Sequence, residues 1–339
     1  MRKPVVLITG ANGEIGHGLI KSIAATNDSS VVALDLDPLD DDLKPMVIDA
    51  VTANILDRNS LERINGKYEI SEIYHLASVL STRAEFSPHT AHDVNVGGTL
   101  NLLTIAVEQA SSQGAAVKFF FPSSIAVYGL GGTEEKERVG AINEEQFCIP
   151  QTMYGCNKLY CEHLGRYYSN YFRRLSAASE SGKVDFRSIR FPGIISADTI
   201  PSGGTSDFGP EMIHAAARNR PYRCFVRPDT TMPFMTMLDA VDAIRKLMAA
   251  KAEHLTKSVY HLSSFSVSAQ DFADKVTSLY NTVSVVFDVN DKRQTIVDSW
   301  PKYIDDSAAR RDWGWSPRYD FDSAFEDYLV PGINQRYSK

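Results

Sequence analysis

No apolar run in this sequence approaches the roughly 20 residues a bilayer span needs. Mean hydropathy of −0.21, with 43% hydrophobic and 23% charged residues, fits a globular protein without a membrane partner. No Lys/Arg block is present, and a formal net charge of −7 argues against a nucleic-acid partner, because phosphates call for a concentrated basic face. Cysteine is scarce: Cys148, Cys156, Cys161 and Cys224 show no framework spacing, and the chain is too large to need stapling. Free thiols in the cytoplasm are expected. Cys156, Cys161 and His163 are metal-type ligands, but positions five apart on a helix diverge in direction, so no metal is expected. A first strand is predicted directly after Met1, leaving no room for a leader. No internal repeat or low-complexity tract appears. What remains is small-molecule chemistry.

A length of 339 residues suits one large α/β domain with a smaller appendage. Short apolar runs at Val5 to Thr9, Val31 to Asp35, Ile70 to Ala77, Val117 to Ser123 and Phe186 to Phe191 read as strands. Helical patterns fill the gaps, the longest from Thr90 to Ala110 and from Met153 through Arg174. This alternation predicts an α/β fold with a doubly wound parallel sheet of Rossmann type, whose ligands lie beyond the carboxyl ends of the strands. After Pro192 the pattern changes to a Gly/Ser/Pro-rich loop, a helix near Glu211 to Arg218, and shorter strands at Val259 to Leu262 and Val283 to Phe287. Residues 1–192 are therefore expected to form the sheet domain. Residues 193–339 form mainly a smaller C-terminal lobe, with parts returning to the first, and carry all three tryptophans. Gly129 to Thr152 reads as a surface excursion.

The first strand ends in Gly10-Ala11-Asn12-Gly13-Glu14-Ile15-Gly16 and opens a helix. Gly10 permits the tight turn, Gly13 lets backbone approach a pyrophosphate, and Gly16 allows close helix–strand packing. The helix N-terminus offers N–H groups to phosphates. Asp35 closes the second strand about twenty residues on, where a carboxylate accepts from ribose hydroxyls. NAD is the expected cofactor. NADP is disfavoured, because Asp35 repels a 2′-phosphate and no arginine follows in Leu36-Asp37-Pro38. Asp57 stands where a third strand is expected to end. It either receives the adenine amino group or caps the helix beginning at Arg58.

Tyr154 and Lys158, four apart, share one helical face. A phenol has a pKa of about 10, and use as a base near pH 8 requires lowering it by an equivalent of about 2.7 kcal/mol. A neighbouring ammonium favours the phenolate. Pro122-Ser123-Ser124 ends a strand about thirty residues upstream, at the edge where the site is expected. One serine of the two faces the cofactor, and the other is expected to satisfy backbone.

Together with His75-Leu76-Ala77, Asn95 and Ser123-x-x-x-Val127-Tyr128-Gly129, these motifs resemble the extended short-chain dehydrogenase/reductase superfamily over nearly the whole chain. The resemblance implies that Ser124 binds the substrate hydroxyl and that Tyr154 is the base with Lys158 beside it. It also implies a cofactor site of Gly10, Asn12, Gly13, Glu14, Ile15, Gly16, Asp35, Leu56, Asp57, Leu76, Ala77, Asn95, Tyr154, Lys158, Pro192 and Ile194. A homodimer through the two long helices is implied as well.

The C-terminal half is similar to the short-chain type of L-threonine dehydrogenases, in Arg190 to Ser196, Gly203 to Asp207, Arg227 to Thr230 and Asp298 to Lys302. That likeness implies L-threonine as substrate, with Ser81, Thr205 and Ser206 on its amino-acid part beside Ser124 and Tyr154, and Trp300 closing the pocket. Ser206 departs from the second threonine more usual there. A helix opening after Gly203-Gly204-Thr205-Ser206 independently suits a carboxylate. The main rival is a nucleotide-sugar epimerase or dehydratase, which typically carries an arginine before an aromatic-isoleucine-histidine strand. Met232 to Met237 has no charge, although Arg223, Arg227 and Arg293 offer a substitute clamp. A non-catalytic NAD-binding regulator is the rival from another class.

Overall fold

The computed structural model describes residues 2–176, 183–201, 203–280 and 283–337. Seven parallel strands form the central sheet: β1 (Lys3–Thr9), β2 (Val31–Asp35), β3 (Asp49–Thr52), β4 (Tyr68–His75), β5 (Val117–Ser124), β6 (Val184–Phe191) and β7 (Val259–His261). Their order is β7-β6-β5-β4-β1-β2-β3. It reverses between β1 and β4, which opens a crevice at the carboxyl edge. Residue alternation feeds two cores: Val5 and Leu7 pack with Leu102, Leu103 and Tyr168 on one face, and Val6 and Ile8 with Leu19, Ile20 and Ile244 on the other. Burial on both faces explains why these strands read as continuous apolar runs.

The third strand lies earlier than expected, at Asp49–Thr52, and pairs in register with β2. Asp57 therefore sits beyond the strand, as the N-cap of the helix Arg58–Lys67, accepting from Asn59 N and Ser60 N. Of the two long helices, Met153–Asn170 is a single run. Gly98–Gln113 follows a π-helical turn at Asp93–Gly97, which bulges the backbone at Asn95.

A third core gathers Phe208, Phe234, Phe272 and Phe325. The Phe208 and Phe234 rings meet edge to face with centroids 5.6 Å apart, and Phe234 and Phe272 at 5.0 Å. Beside it runs a three-stranded sheet of Gly193–Ile195, Thr231–Thr236 and Phe265–Ser268, with Thr231–Thr236 in the middle. Two tryptophans lie elsewhere: Trp315 joins the core on the helix face of the main sheet with Trp313 packed against it, and Trp315 Nε1 donates to Asp306 at 3.0 Å. The Gly129 to Thr152 excursion is anchored rather than loose. It contains a helix, Thr133–Val139, whose Lys136 is buried and donates to Val297 O at 3.2 Å. A short strand, Ala141–Ile142, pairs with Tyr303–Ile304. Among the described residues no helix is long and apolar enough to cross a membrane.

Candidate active site

At the crevice floor Gly10 adopts φ +69°, and a Cβ there would lie 2.6 Å from Ala77 N, so Leu76 and Ala77 sit directly against the glycine turn. A Cβ on Gly16 would fall 2.5 Å from Ala11 O. The first helix, Glu14–Thr26, has Gly13 as its N-cap and no side-chain cap, which leaves its leading N–H groups facing the crevice. Asn12 laces this turn to the segment after β2, donating to Pro38 O at 2.9 Å and accepting from Asp40 N at 3.0 Å. Asp35 accepts from Asn12 N at 2.9 Å and Asp37 N at 3.3 Å. One bond per oxygen leaves lone pairs for ribose hydroxyls. A backbone cradle that no Cβ could enter, an uncapped helix end and this carboxylate fit a dinucleotide. Leu56 borders the same mouth, against Gly97. Pro192 is buried at the end of β6, and half-buried Ile194 pairs with Met235.

Glu14 stands in the first turn of that helix, and its carboxyl lies by Thr199 and Asp207. Loss of solvation raises its pKa above the usual carboxylate range; a Thr199 hydrogen bond opposes this and Asp207 adds to it. A carboxylate here repels a pyrophosphate, so NAD binding is expected to weaken as pH rises through the raised pKa. Glu14→Gln is expected to bind NAD about five-fold tighter at pH 8, equivalent to roughly 1 kcal/mol of removed repulsion. Titration calorimetry at pH 5 and pH 8 checks this, and equal affinities for both proteins at pH 8 would refute it.

The tyrosine helix, Met153–Asn170, starts at Thr152, whose Oγ1 accepts from Gly155 N at 3.1 Å. Its first turn presses on the segment after β5: a Cβ on Gly155 would lie 2.0 Å from Ala126 O. Tyr154 is half-buried, and Lys158 Nζ lies 5.3 Å from the centre of its ring. Lys158 donates to Pro122 O at 2.7 Å and lies 4.6 Å above the Phe121 ring. Ser124 Oγ accepts from Ala126 N at 3.1 Å, a bond that uses a lone pair and leaves the hydroxyl hydrogen for another acceptor. Ser123 does not satisfy backbone, contrary to expectation. It donates to the Glu162 carboxylate at 2.5 Å, because a buried anion is the stronger acceptor within reach.

The electrostatics also differ from expectation. Burial pushes the Tyr154 phenol well above its ordinary range, and burial draws Lys158 down to about 8, opposed by Cys161 and Glu162. In the protein alone, desolvation therefore outweighs the neighbouring ammonium, whose proton points at Pro122 O instead. Asn95 joins the surrounding segments, accepting from Val79 N at 2.7 Å and donating to Asn157 Oδ1 at 3.3 Å. His75 is wedged between Thr9 and Thr99 hydroxyls at 2.9 and 3.0 Å, and burial pulls it down to about 3, so it is a neutral packing element.

Across the crevice, Thr82 donates to Gly203 O at 3.1 Å, which brings half-buried Ser81 to the loop holding buried Thr205 and half-buried Ser206. That loop is tied by Asp207 accepting from Gly204 N at 2.6 Å. Trp300 is 4% exposed and packs in the core that includes Ile125 to Tyr128 and borders Tyr154. Each of the three arginines has a partner. Arg223 pairs with Asp288 at 3.0 Å, Arg227 forks onto Asp298 at 2.9 Å, and Arg293 donates to Gly204 O at 2.5 Å while stacked 3.3 Å over the Phe225 ring. Met232, Phe234 and Met235 are fully buried. Cys156 and His163 are exposed while Cys161 is buried, so these three side chains do not converge.

A glycine cradle, an acidic end to β2 and a Tyr/Lys/Ser set at one sheet edge define an extended short-chain dehydrogenase/reductase. The chain belongs to the NAD dependent epimerase/dehydratase family, which it matches over residues 6–263. It is 33% identical to the mitochondrial L-threonine 3-dehydrogenase of Bos taurus over 94% of this chain and 79% of that protein. It is 34% identical to an uncharacterized epimerase/dehydratase of Staphylococcus haemolyticus over 98% of both. Among solved structures, a monomeric L-threonine 3-dehydrogenase from a metagenome, in its apo form, superposes with a TM-score of 0.84 at 33% identity, over 98% of this chain and 99% of that one.

Proposed function

We propose that this protein oxidises the side-chain hydroxyl of L-threonine, giving 2-amino-3-ketobutyrate, with NAD as hydride acceptor. The observation that carries the reading is the docking of the tyrosine helix on the end of β5: Lys158 lies 5.3 Å from the Tyr154 ring and donates at 2.7 Å to Pro122 O, two residues before Ser124. Similarity to L-threonine 3-dehydrogenases along nearly the whole chain supports the substrate. Ser124 holds the threonine hydroxyl, and the Tyr154 phenolate oxygen takes its proton as the carbonyl forms and the Cβ hydrogen leaves with its electron pair. When bound, NAD supplies the hydride acceptor and a positive ring that favours the phenolate. Thr205, Ser206 and Ser81 orient the amino-acid end, and buried Trp300 walls the pocket.

Asp35 directs the choice of NAD over NADP. The uncharged stretch Met232 to Met237 and the fork of Arg227 on Asp298 weigh against a nucleotide-sugar diphosphate. Incubation with NAD and either L-threonine, L-serine, 3-hydroxybutyrate or UDP-glucose tests the reading through NADH absorbance. L-Threonine is expected to give NADH; failure with L-threonine alongside turnover of UDP-glucose would replace it with the epimerase reading. No turnover of any kind would favour a binding regulator.

The sheet unit is placed at 1–192 with later returns, and the substrate lobe mainly at 193–339. Homodimerisation is assigned to the two long helices, Gly98–Gln113 and Met153–Asn170, the second of which carries Tyr160 and Tyr167 at 52% and 43% exposed. A solution mass near twice the 37.6 kDa of one chain supports this, and a mass near one chain gives it the state of its monomeric relative.

A further inference from the structure

Side chains that the proposed reaction leaves unused form a buried network directly behind Ser124 and Lys158. Arg190 grips the Glu162 carboxylate with two edges, Nε to Oε1 at 2.9 Å and Nη2 to Oε2 at 2.7 Å. Neither side chain is more than 2% exposed. Ser123 donates to the same Oε1 at 2.5 Å. Arg190 Nη1 also donates to the Tyr128 hydroxyl at 3.0 Å and to Glu144 O at 2.6 Å. His261 Nε2 faces Asp305 O at 2.7 Å, a group that only accepts, so Nε2 carries the hydrogen and Nδ1 receives the Tyr128 hydroxyl at 2.7 Å. Every link then has a donor and an acceptor.

Two sequence relations join this network to the chemistry. Pro122, Ser123 and Ser124 are consecutive at the end of β5, and Lys158 and Glu162 lie one turn apart on the tyrosine helix. The helix therefore holds β5 at two successive residues, by Lys158 on Pro122 O and by Glu162 on the Ser123 hydroxyl. The groups facing Lys158 are Tyr154, Cys161 and Glu162 on its own helix, His75 on β4, the Phe121 ring and Pro122 O on β5, with Arg190 on β6 behind Glu162. Burial keeps His75 and Cys161 neutral, which leaves Glu162 as the charge that acts directly on the lysine, with Arg190 paired to it.

We propose that Glu162 and Arg190 are positioning residues: through Ser123 they fix Ser124 opposite Tyr154, and through their paired charges they set how tightly Lys158 holds its proton. Without the arginine fork, a buried carboxylate one turn away would bind the lysine's proton strongly. Without the carboxylate, an arginine charge alone would expel it. The kinetic half of this inference rests on the dehydrogenase reading, whereas the charge half does not.

Protein labelled with carbon-13 at the lysine ε position reports the Lys158 midpoint, assigned by the peak lost in Lys158→Met. Glu162→Gln is expected to lower that midpoint by about one unit or more; an unmoved midpoint overturns the charge role. Should Glu162→Gln not fold, Arg190→Gln, which removes the charge that balances Glu162, is expected to raise the midpoint, and an unmoved or lowered midpoint is equally adverse. Ser123→Ala removes no charge, so it is expected to leave the midpoint and the KM for NAD in place while kcat for L-threonine falls about tenfold. Wild-type kcat in Ser123→Ala overturns the positioning role. A wild-type protein inert toward L-threonine instead defeats the substrate reading, and the lysine titration still decides the charge role.

Discussion

Replacing Tyr154 by phenylalanine is expected to slow NADH formation from L-threonine by about 100- to 10,000-fold, the usual worth of a positioned acid–base group. The ring is retained, so its packing against the core that holds Ile125 to Tyr128 is retained too. Affinity for NAD is expected to stay within about two-fold, because the glycine cradle and Asp35 carry most of that binding. The split is informative because the phenol is raised by burial in the protein alone. On the proposed mechanism, its use as a base therefore depends on the charge a bound dinucleotide adds. Stopped-flow measurement of the first turnover, with fluorescence titration of NAD binding, checks both parts. A variant that keeps wild-type turnover would remove Tyr154 from the reaction.

Gly155→Ala adds one methyl group next to that tyrosine and is expected to be almost as damaging. The new Cβ would stand 2.0 Å from Ala126 O and 2.9 Å from Pro150 Cβ. Neither neighbour is the free end of a flexible side chain, so the helix itself must retreat, by about 1 Å, to reach ordinary contact. Displacement on that scale at a reacting group costs about 100-fold in rate. Overpacking of this kind also costs roughly 1–3 kcal/mol of stability. Melting curves and kcat measured together separate the two effects. An unchanged kcat in a folded variant would show that Tyr154 does not depend on this approach.

Much of this architecture is written in local patterns. Six sheet strands and both long helices follow from apolar runs and their period, since strands covered on both faces carry continuous apolar sequence, although Val259 to Leu262, expected in the lobe, returns to the main sheet as β7. β3 was placed too late because Asp49 to Thr52 alternates between half-buried and exposed positions at the sheet edge, and the turn residues around Asn54 resemble a strand end. The Gly, Tyr and Lys positions could be read because chemistry demands those residue types at those spacings. Glu162 and Arg190 were missed because a charge inside a helix or strand reads as a solvated face unless its partner is known, and these two are 28 residues apart. One signal was present: Glu162 follows Lys158 by four, on the side of the helix already assigned to the site. The phenol's electrostatics were not readable, since burial depends on the whole packed surround rather than on one neighbour.

Two of the three cores draw on both halves of the chain. Ile125 to Tyr128 and Ile142 pack into the Phe234 core, while Met235, Ala240, Ile244, Tyr260 and Trp315 pack against the main sheet. No single cut therefore yields an exchangeable cassette, and a chimaera spliced once after Pro192 would inherit two mismatched interiors. If the Gly203 to Ser206 loop binds substrate as proposed, new preferences in such a scaffold are expected to come from replacing side chains along it and its facing helix, in place, rather than from importing a foreign block.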